Sequence, residues 1–151
     1  MTFTRTNSDN NDFQKLVKAL DADLKIRDGE DNFFYAQFNK ITAIKHVIVA
    51  SDDNLPVGCG AIKQYADDTM EVKRMYVLPE KRGHGIAGLM LGELEVWAKE
   101  LNYVRCILET GQKQPEAIAL YKKEGYQIIP NYGQYEGIAN SICFEKHFDY
   151  V

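Results

Sequence analysis

The run Arg82-Gly83-His84-Gly85-Ile86-Ala87-Gly88 is the part of this sequence best suited to chemistry. Its glycines let backbone approach a ligand closely, because no Cβ stands in the way. An apolar segment with helical spacing follows, so the run opens a helix. The first turn of a helix carries unpaired N–H groups and a partial positive charge, and a glycine-rich loop placed there is suited to holding phosphate. Upstream, Val72, Met75, Tyr76 and Val77 give residues 70–77 the bulk of a strand, and Pro79 ends it because proline cannot donate to a ladder.

Three motifs compete for this loop. Gly83 and Gly88 have the spacing of a Walker loop, but Leu89 and Met90 stand where Lys and Ser/Thr are required. Gly83-x-Gly85-x-x-Gly88 spells a dinucleotide motif, and Glu109 follows about 20 residues later, where a ribose-binding acid would stand. Against it, residues 78–82 intervene between strand and first glycine. The chain after Glu109 is also too short for the second half of a doubly wound sheet. A dinucleotide-binding oxidoreductase is carried as the alternative. Third, Arg82-x-x-Gly85-x-Ala87 resembles the Arg/Gln-x-x-Gly-x-Gly/Ala signature of the GNAT superfamily of N-acetyltransferases. Downstream, Gln114-Pro115-Glu116-Ala117-Ile118-Ala119-Leu120-Tyr121-Lys122-Lys123-Glu124-Gly125-Tyr126 resembles that family's second signature, Asn-x-x-Ala-x-x-Leu-Tyr-x-x-x-Gly-Phe/Tyr. Ala87 and Gln114 are the departures, and the resemblance covers residues 70–129.

The resemblance implies a single GNAT-like N-acetyltransferase domain over residues 1–151, with acetyl-CoA as co-substrate and no metal. It implies direct transfer of the acetyl group to a primary amine of a small-molecule acceptor. The backbone of Arg82, Gly83, His84, Gly85, Ile86, Ala87 and Gly88 would then hold the pyrophosphate. Main-chain groups at Met75, Tyr76 and Val77 would pair with the pantetheine arm like an added strand, and one of these amides would polarise the thioester carbonyl. Gln114 and Tyr121 would border the cofactor, with Tyr121 as general acid. A phenol, with an ordinary pKa near 10, can donate a proton to a forming thiolate. The base stays open between Glu71 on the cofactor strand, Glu109 at the end of its neighbour, and water; Glu71 is placed first. A non-catalytic acyl-CoA-binding module on the same fold is the other alternative, and it would bind without turnover.

Composition narrows the class further. A chain of 151 residues with 45% hydrophobic content is one domain's worth of foldable sequence. A net charge of −4 argues against a general nucleic-acid binder. No apolar run is long enough to span a bilayer, so no membrane partner is expected. The first residues lack the basic-then-apolar pattern of a signal peptide. The three cysteines, Cys59, Cys106 and Cys143, each lie in an apolar strand-like run, which suggests buried reduced thiols and a cytoplasmic protein.

The elements that must position these residues follow from periodicity. Residues 3–6 suit a short strand, with Ser8 or an adjacent Asn/Asp capping the next helix. Phe13, Leu16, Val17, Leu20 and Leu24 form a helical stripe, and Gly29 is placed to end it. Residues 30–40 read as a second short helix or lid, whose Phe33, Phe34, Tyr35 and Phe38 either pack on the sheet or wall an acceptor pocket. Residues 44–50 and 57–65 predict an antiparallel hairpin, with His46 on its surface. A helix over 85–101, a strand over 103–109, a helix over 115–124 and closing strands over 126–129 and 141–146 complete the chain. The loop between the last two carries Tyr132 and Tyr135, which suit a substrate rim. The expected fold is α/β (α+β): a mixed, mostly antiparallel central sheet flanked by helices on both faces. An antiparallel edge near the C-terminus would suit a homodimer, although no residue decides it.

Overall fold

The computed structural model describes residues 1–29 and 43–148. The aromatic segment at 30–40, including Phe33, Phe34, Tyr35 and Phe38, lies outside them. The described residues form β1 (Thr2–Thr6), α1 (Asn11–Asp28), β2 (His46–Asp52), β3 (Leu55–Ala66), β4 (Thr69–Val77), α2 (Ile86–Glu100), β5 (Arg105–Gly111), α3 (Pro115–Lys123), β6 (Gln127–Ile129) and β7 (Ser141–His147). One sheet takes the strands in the order β1-β2-β3-β4-β5-β7-β6. Every neighbouring pair is antiparallel except β4 with β5. No described helix is long and apolar enough to cross a membrane.

Helices cover both faces, as the sequence predicts. Phe13, Leu16, Val17 and Leu20 pack α1 onto Val47, Val49, Cys59 and Ala61. On the other face, α2 buries Ile86, Met90, Leu91 and Leu94 in a cluster shared with Ile62, Val72, Tyr121 and Phe144. Each such side chain contributes roughly 1.5–3 kcal/mol when taken out of water. All three cysteines are free and buried.

Some local expectations shift. Of the capping candidates around Ser8, Asn10 takes the role by accepting from the Phe13 amide at 2.9 Å, while Ser8 Oγ accepts from the Ile44 amide. His46 is half-buried rather than a surface residue, because its ring packs edge-on against Trp97 at 4.9 Å. In β5 the apolar run Cys106-Ile107-Leu108 is buried on both faces, since helices cover both sides of the sheet there.

Two departures from regular pairing build the site. β4 and β5 are in register at Thr69↔Arg105, Met70↔Cys106 and Glu71↔Ile107, where their ladder ends. Beyond it β4 stays with β3 and β5 with β7, so a wedge opens between the two parallel strands. On the other edge of β4, Lys73 lies opposite Ala61 and Tyr76 opposite Cys59, leaving Arg74 and Met75 both against Gly60. This is a β-bulge, and Arg74 takes the left-handed conformation with φ 59°. Gly60 lies beside it, and a Cβ there would stand 2.5 Å from Met75 Sδ and 3.0 Å from Leu94 Cδ1, so those side chains would have to shift. The extra residue breaks the alternation, so Lys73 and Arg74 both face α1: Lys73 through its register with Ala61, Arg74 through its bond to Asp21.

Candidate active site

The glycine-rich loop is built as a bare helix start. Gly85 is the N-cap of α2 in the left-handed conformation (φ 79°), a place where L side chains are strained. No side chain caps the helix and no acidic residue stands in its first turn, so its leading N–H groups remain for an outside acceptor. Among the described residues a Cβ at Gly83 or Gly85 would meet nothing within 4 Å, which leaves this backbone open to a ligand. These features fit a pyrophosphate. Gly88 has a second reason to be small, because a Cβ there would press on Glu124 Oε1 of the α3 C-terminal turn at 2.7 Å.

A cavity of about 370 Å3 runs from this loop along β4 to α3, lined by Met75, Tyr76, Val77, Gly83, Gly85 and Tyr121 among others. Its β4 wall is the strand edge that β5 leaves unpaired after Glu71, and such an edge can accept an extended ligand as an added strand. Arg82 is held at its mouth. Its Nε donates to the Val77 carbonyl at 2.9 Å, its guanidinium lies 5.5 Å from the Tyr76 ring centroid, and Asp23 of α1 stands 3.8 Å away. Across the same mouth, Arg27 of α1 pairs with Glu116 of α3 at 2.6 Å and with Asp23 at 3.2 Å. The Arg27 hydrogen bond holds the Glu116 carboxyl down at about 2, below the usual carboxylate range.

A second cavity, of about 120 Å3, adjoins on the α1 side and is lined by Glu71, Lys73, Arg74, Glu109, Tyr121 and Tyr135 among others. Tyr121 and Gln114 line both cavities. Tyr121 sits between Tyr126 and Phe144, each 5.8 Å away centroid to centroid. Its burial, with the Glu109 charge, pushes its phenol above the ordinary tyrosine range and keeps it protonated. Glu71 is buried, accepts a 2.5 Å hydrogen bond from Tyr132 and lies 3.4 Å from Lys73 Nζ. Glu109 accepts from Ser141 Oγ at 2.7 Å.

Of the residues the sequence points to, Met75, Tyr76, Val77, Arg82, Gly83, Gly85, Ile86, Ala87, Gly88, Gln114 and Tyr121 line the larger cavity. His84 is exposed and is absent from that lining. Glu71 and Glu109 share the smaller one. Sequence reasoning missed Asp23, Arg27 and Glu116 at the mouth, and Lys73 and Arg74 beside the carboxylates. Asp23 and Arg27 have the i,i+4 spacing of any exposed helix pair, so nothing marks them as cleft residues. The dinucleotide alternative falls here: the motif it needs opens an added-strand cleft beside a single parallel pair, in a sheet that is otherwise antiparallel.

The family profile described as acetyltransferase (GNAT) domain matches residues 43–128, more than half of the chain. The chain belongs to the GNAT family of acetyltransferases. In this GNAT chain the matched span holds the β4–β5 wedge, the glycine-rich loop and Tyr121. The IAA acetyltransferase of Azospirillum brasilense is 39% identical over 103 residues, 66% of this chain and 65% of that protein. The chain spans less than two thirds of the length of the curated relatives it matches. Among solved structures, a Klebsiella pneumoniae protein assigned as an acyl-CoA N-acyltransferase superposes with a TM-score of 0.81 at 28% identity, covering 97% of this chain and 96% of that one. A GNAT acetyltransferase of Elizabethkingia anophelis, solved with acetyl-CoA bound, superposes with a TM-score of 0.69 over 97% of each chain; at 18% identity it shows the shared fold.

Proposed function

We propose that this GNAT chain moves the acetyl group of acetyl-CoA directly to a primary amine of a small-molecule acceptor. The observation that carries the reading is Tyr121, which lines both the cavity under the glycine-rich loop and the smaller cavity that holds Glu71 and Glu109. One side chain therefore borders the place for a thioester and the place for an amine. The acetyl-CoA held by the Elizabethkingia relative supports the choice of co-substrate.

When bound, acetyl-CoA supplies an activated acetyl thioester. The open amides of the 82–88 loop and of the α2 start hold its pyrophosphate, and Arg82 adds a guanidinium beside them. Main-chain groups of Met75, Tyr76 and Val77 hold the pantetheine arm along the free edge of β4. An amide of this strand, fixed by the bulge, donates to the carbonyl oxygen as negative charge grows there. Glu71 takes the proton that the attacking amine loses, directly or through water. Tyr121 holds a proton for the departing sulfur. Burial that raises the phenol also raises the basicity of a thiolate leaving beside it, so the two stay matched.

Release of free thiol from acetyl-CoA in the presence of single amines tests the proposal. Amine-dependent release that falls at least a hundredfold in Tyr121→Phe supports it. Acetyl-CoA binding without release for any amine contradicts it and leaves a non-catalytic acyl-CoA-binding module.

A further inference from the structure

We infer that Arg74, with Lys73 beside it, is a carboxylate-binding site for the acceptor: the amine acetylated here carries a carboxylate, as an amino acid does. The inference rests on the acetyl-transfer reading above and names the substrate class of that site. Arg74 is a buried guanidinium that the described structure leaves under-satisfied. Its side chain is only 5% exposed, yet its bond among the described residues is a single one, from Nη2 to Asp21 Oδ1 at 2.8 Å. Asp21 is itself half in solvent, and among the described residues Arg74 Nε is buried without a partner. Buried donors in native proteins are nearly always paired, so a cavity-lining residue whose guanidinium holds a buried, unpaired nitrogen is a candidate for an outside acceptor. A carboxylate is the small group whose geometry matches an arginine fork.

The bulge in β4 also decides which way this side chain faces. In a regular strand Arg74 would face α2; the bulge and its left-handed φ of 59° turn it to the α1 side with Lys73. Such conformations are rare for residues other than glycine and gather at functional sites. Among the described residues the cavity wall carries two cations, Lys73 beside Glu71 and Arg74 beside Asp21, and two carboxylates, Glu71 and Glu109, around about 120 Å3. A space this small with both signs on its wall suits a zwitterion, its ammonium toward the acids and its carboxylate toward Arg74. A polyamine would have to lodge a second cation against the same guanidinium, which the charge layout disfavours.

The test compares L-amino acids with their primary amides, which keep the amine and lose the negative charge. The full chain is assayed with acetyl-CoA for thiol release, and each pair is also titrated calorimetrically into CoA-saturated protein. For the best-accepted amino acid, kcat/KM should exceed that of its amide by about tenfold or more, mostly through KM, with the same order in the titration. Arg74→Gln should erase the gap while leaving acetyl-CoA affinity unchanged. Because Arg74 is buried, a thermal melt checks that variant, and Lys73→Gln, at a half-buried position, should shrink the gap about threefold. Amides used as well as free acids, or a preference that survives Arg74→Gln, overturn the carboxylate site while acetyl transfer stands. Turnover of simple amines but of no amino acid has the same meaning. No turnover and no binding for any amine overturns both.

Discussion

The Tyr132 hydroxyl donates a 2.5 Å hydrogen bond to Glu71 Oε2, tying the loop before β7 to the strand that lines the cleft. The pair is buried on its strand side, and burial together with the Glu71 charge holds the Tyr132 phenol well above its ordinary range. Tyr132 therefore keeps its proton and remains a donor, which fixes the carboxylate in one orientation beside Lys73. If Glu71 is the base, Glu71→Gln should lower kcat by about a hundredfold or more, in the range of lost general-base catalysis. Tyr132→Phe should lower it less, and should destabilise the fold by about 1.5–3 kcal/mol, the worth of a hydrogen bond to a charged group. Steady-state kinetics and urea unfolding of the two variants check this.

Gly85→Ala places a side chain where φ is 79°. The αL penalty alone should destabilise the protein by about 1 kcal/mol. No described residue stands within 4 Å of the new methyl, so a larger effect on binding than on stability points to a ligand. Acetyl-CoA affinity should fall at least tenfold, measured by calorimetry, while the thermal midpoint drops by only a few degrees.

Arg27 and Glu116 bridge α1 and α3 across the mouth of the larger cavity. Phosphate oxygens entering there compete with Glu116 for the same guanidinium. Glu116→Gln should therefore tighten acetyl-CoA binding about threefold, and Arg27→Gln should weaken it, with little change in stability because the Glu116 side of the pair is solvent-exposed. Equal affinities in all three proteins would separate this bridge from ligand binding.

Stability should depend on pH at both ends. Glu116 is held at about 2 in the folded chain against 4.5 ordinarily, so its contribution is full above about 4.5 and is lost as pH falls toward 2. It is a small contribution, since the carboxylate is exposed. The alkaline limb should be steeper. Burial pushes Cys59 and Cys106 up to about 12 from 9, and the tyrosines of the cleft shift upward as well. A raised folded value means stability that is full below the unfolded value and lost above it. Thermal midpoints should hold level to about pH 9 and fall beyond it.

Much of the candidate site was legible in the sequence, and the reason is local. A glycine loop opening a helix and a tyrosine inside a second signature are features of short stretches, and they land in one cleft. Pairs made between distant positions were not legible. Tyr132 and Glu71 are 61 residues apart, and Arg27 and Glu116 are 89 apart; neither residue of either pair is unusual in its own neighbourhood. The Arg74 bulge was hidden for a related reason. No glycine or asparagine occupies the left-handed position, so the sequence reads as an unbroken strand, and the compensating glycine, Gly60, lies on the partner strand. His46 misled because alternation alone cannot tell that Trp97 covers that face.

Isothermal titration of the purified chain with acetyl-CoA, with NAD+ as the parallel ligand, tests the central claim most directly. The account predicts one acetyl-CoA site per chain with micromolar affinity, weakened by Gly85→Ala, and no heat from NAD+. No acetyl-CoA binding, or binding that Gly85→Ala leaves unchanged, would contradict it.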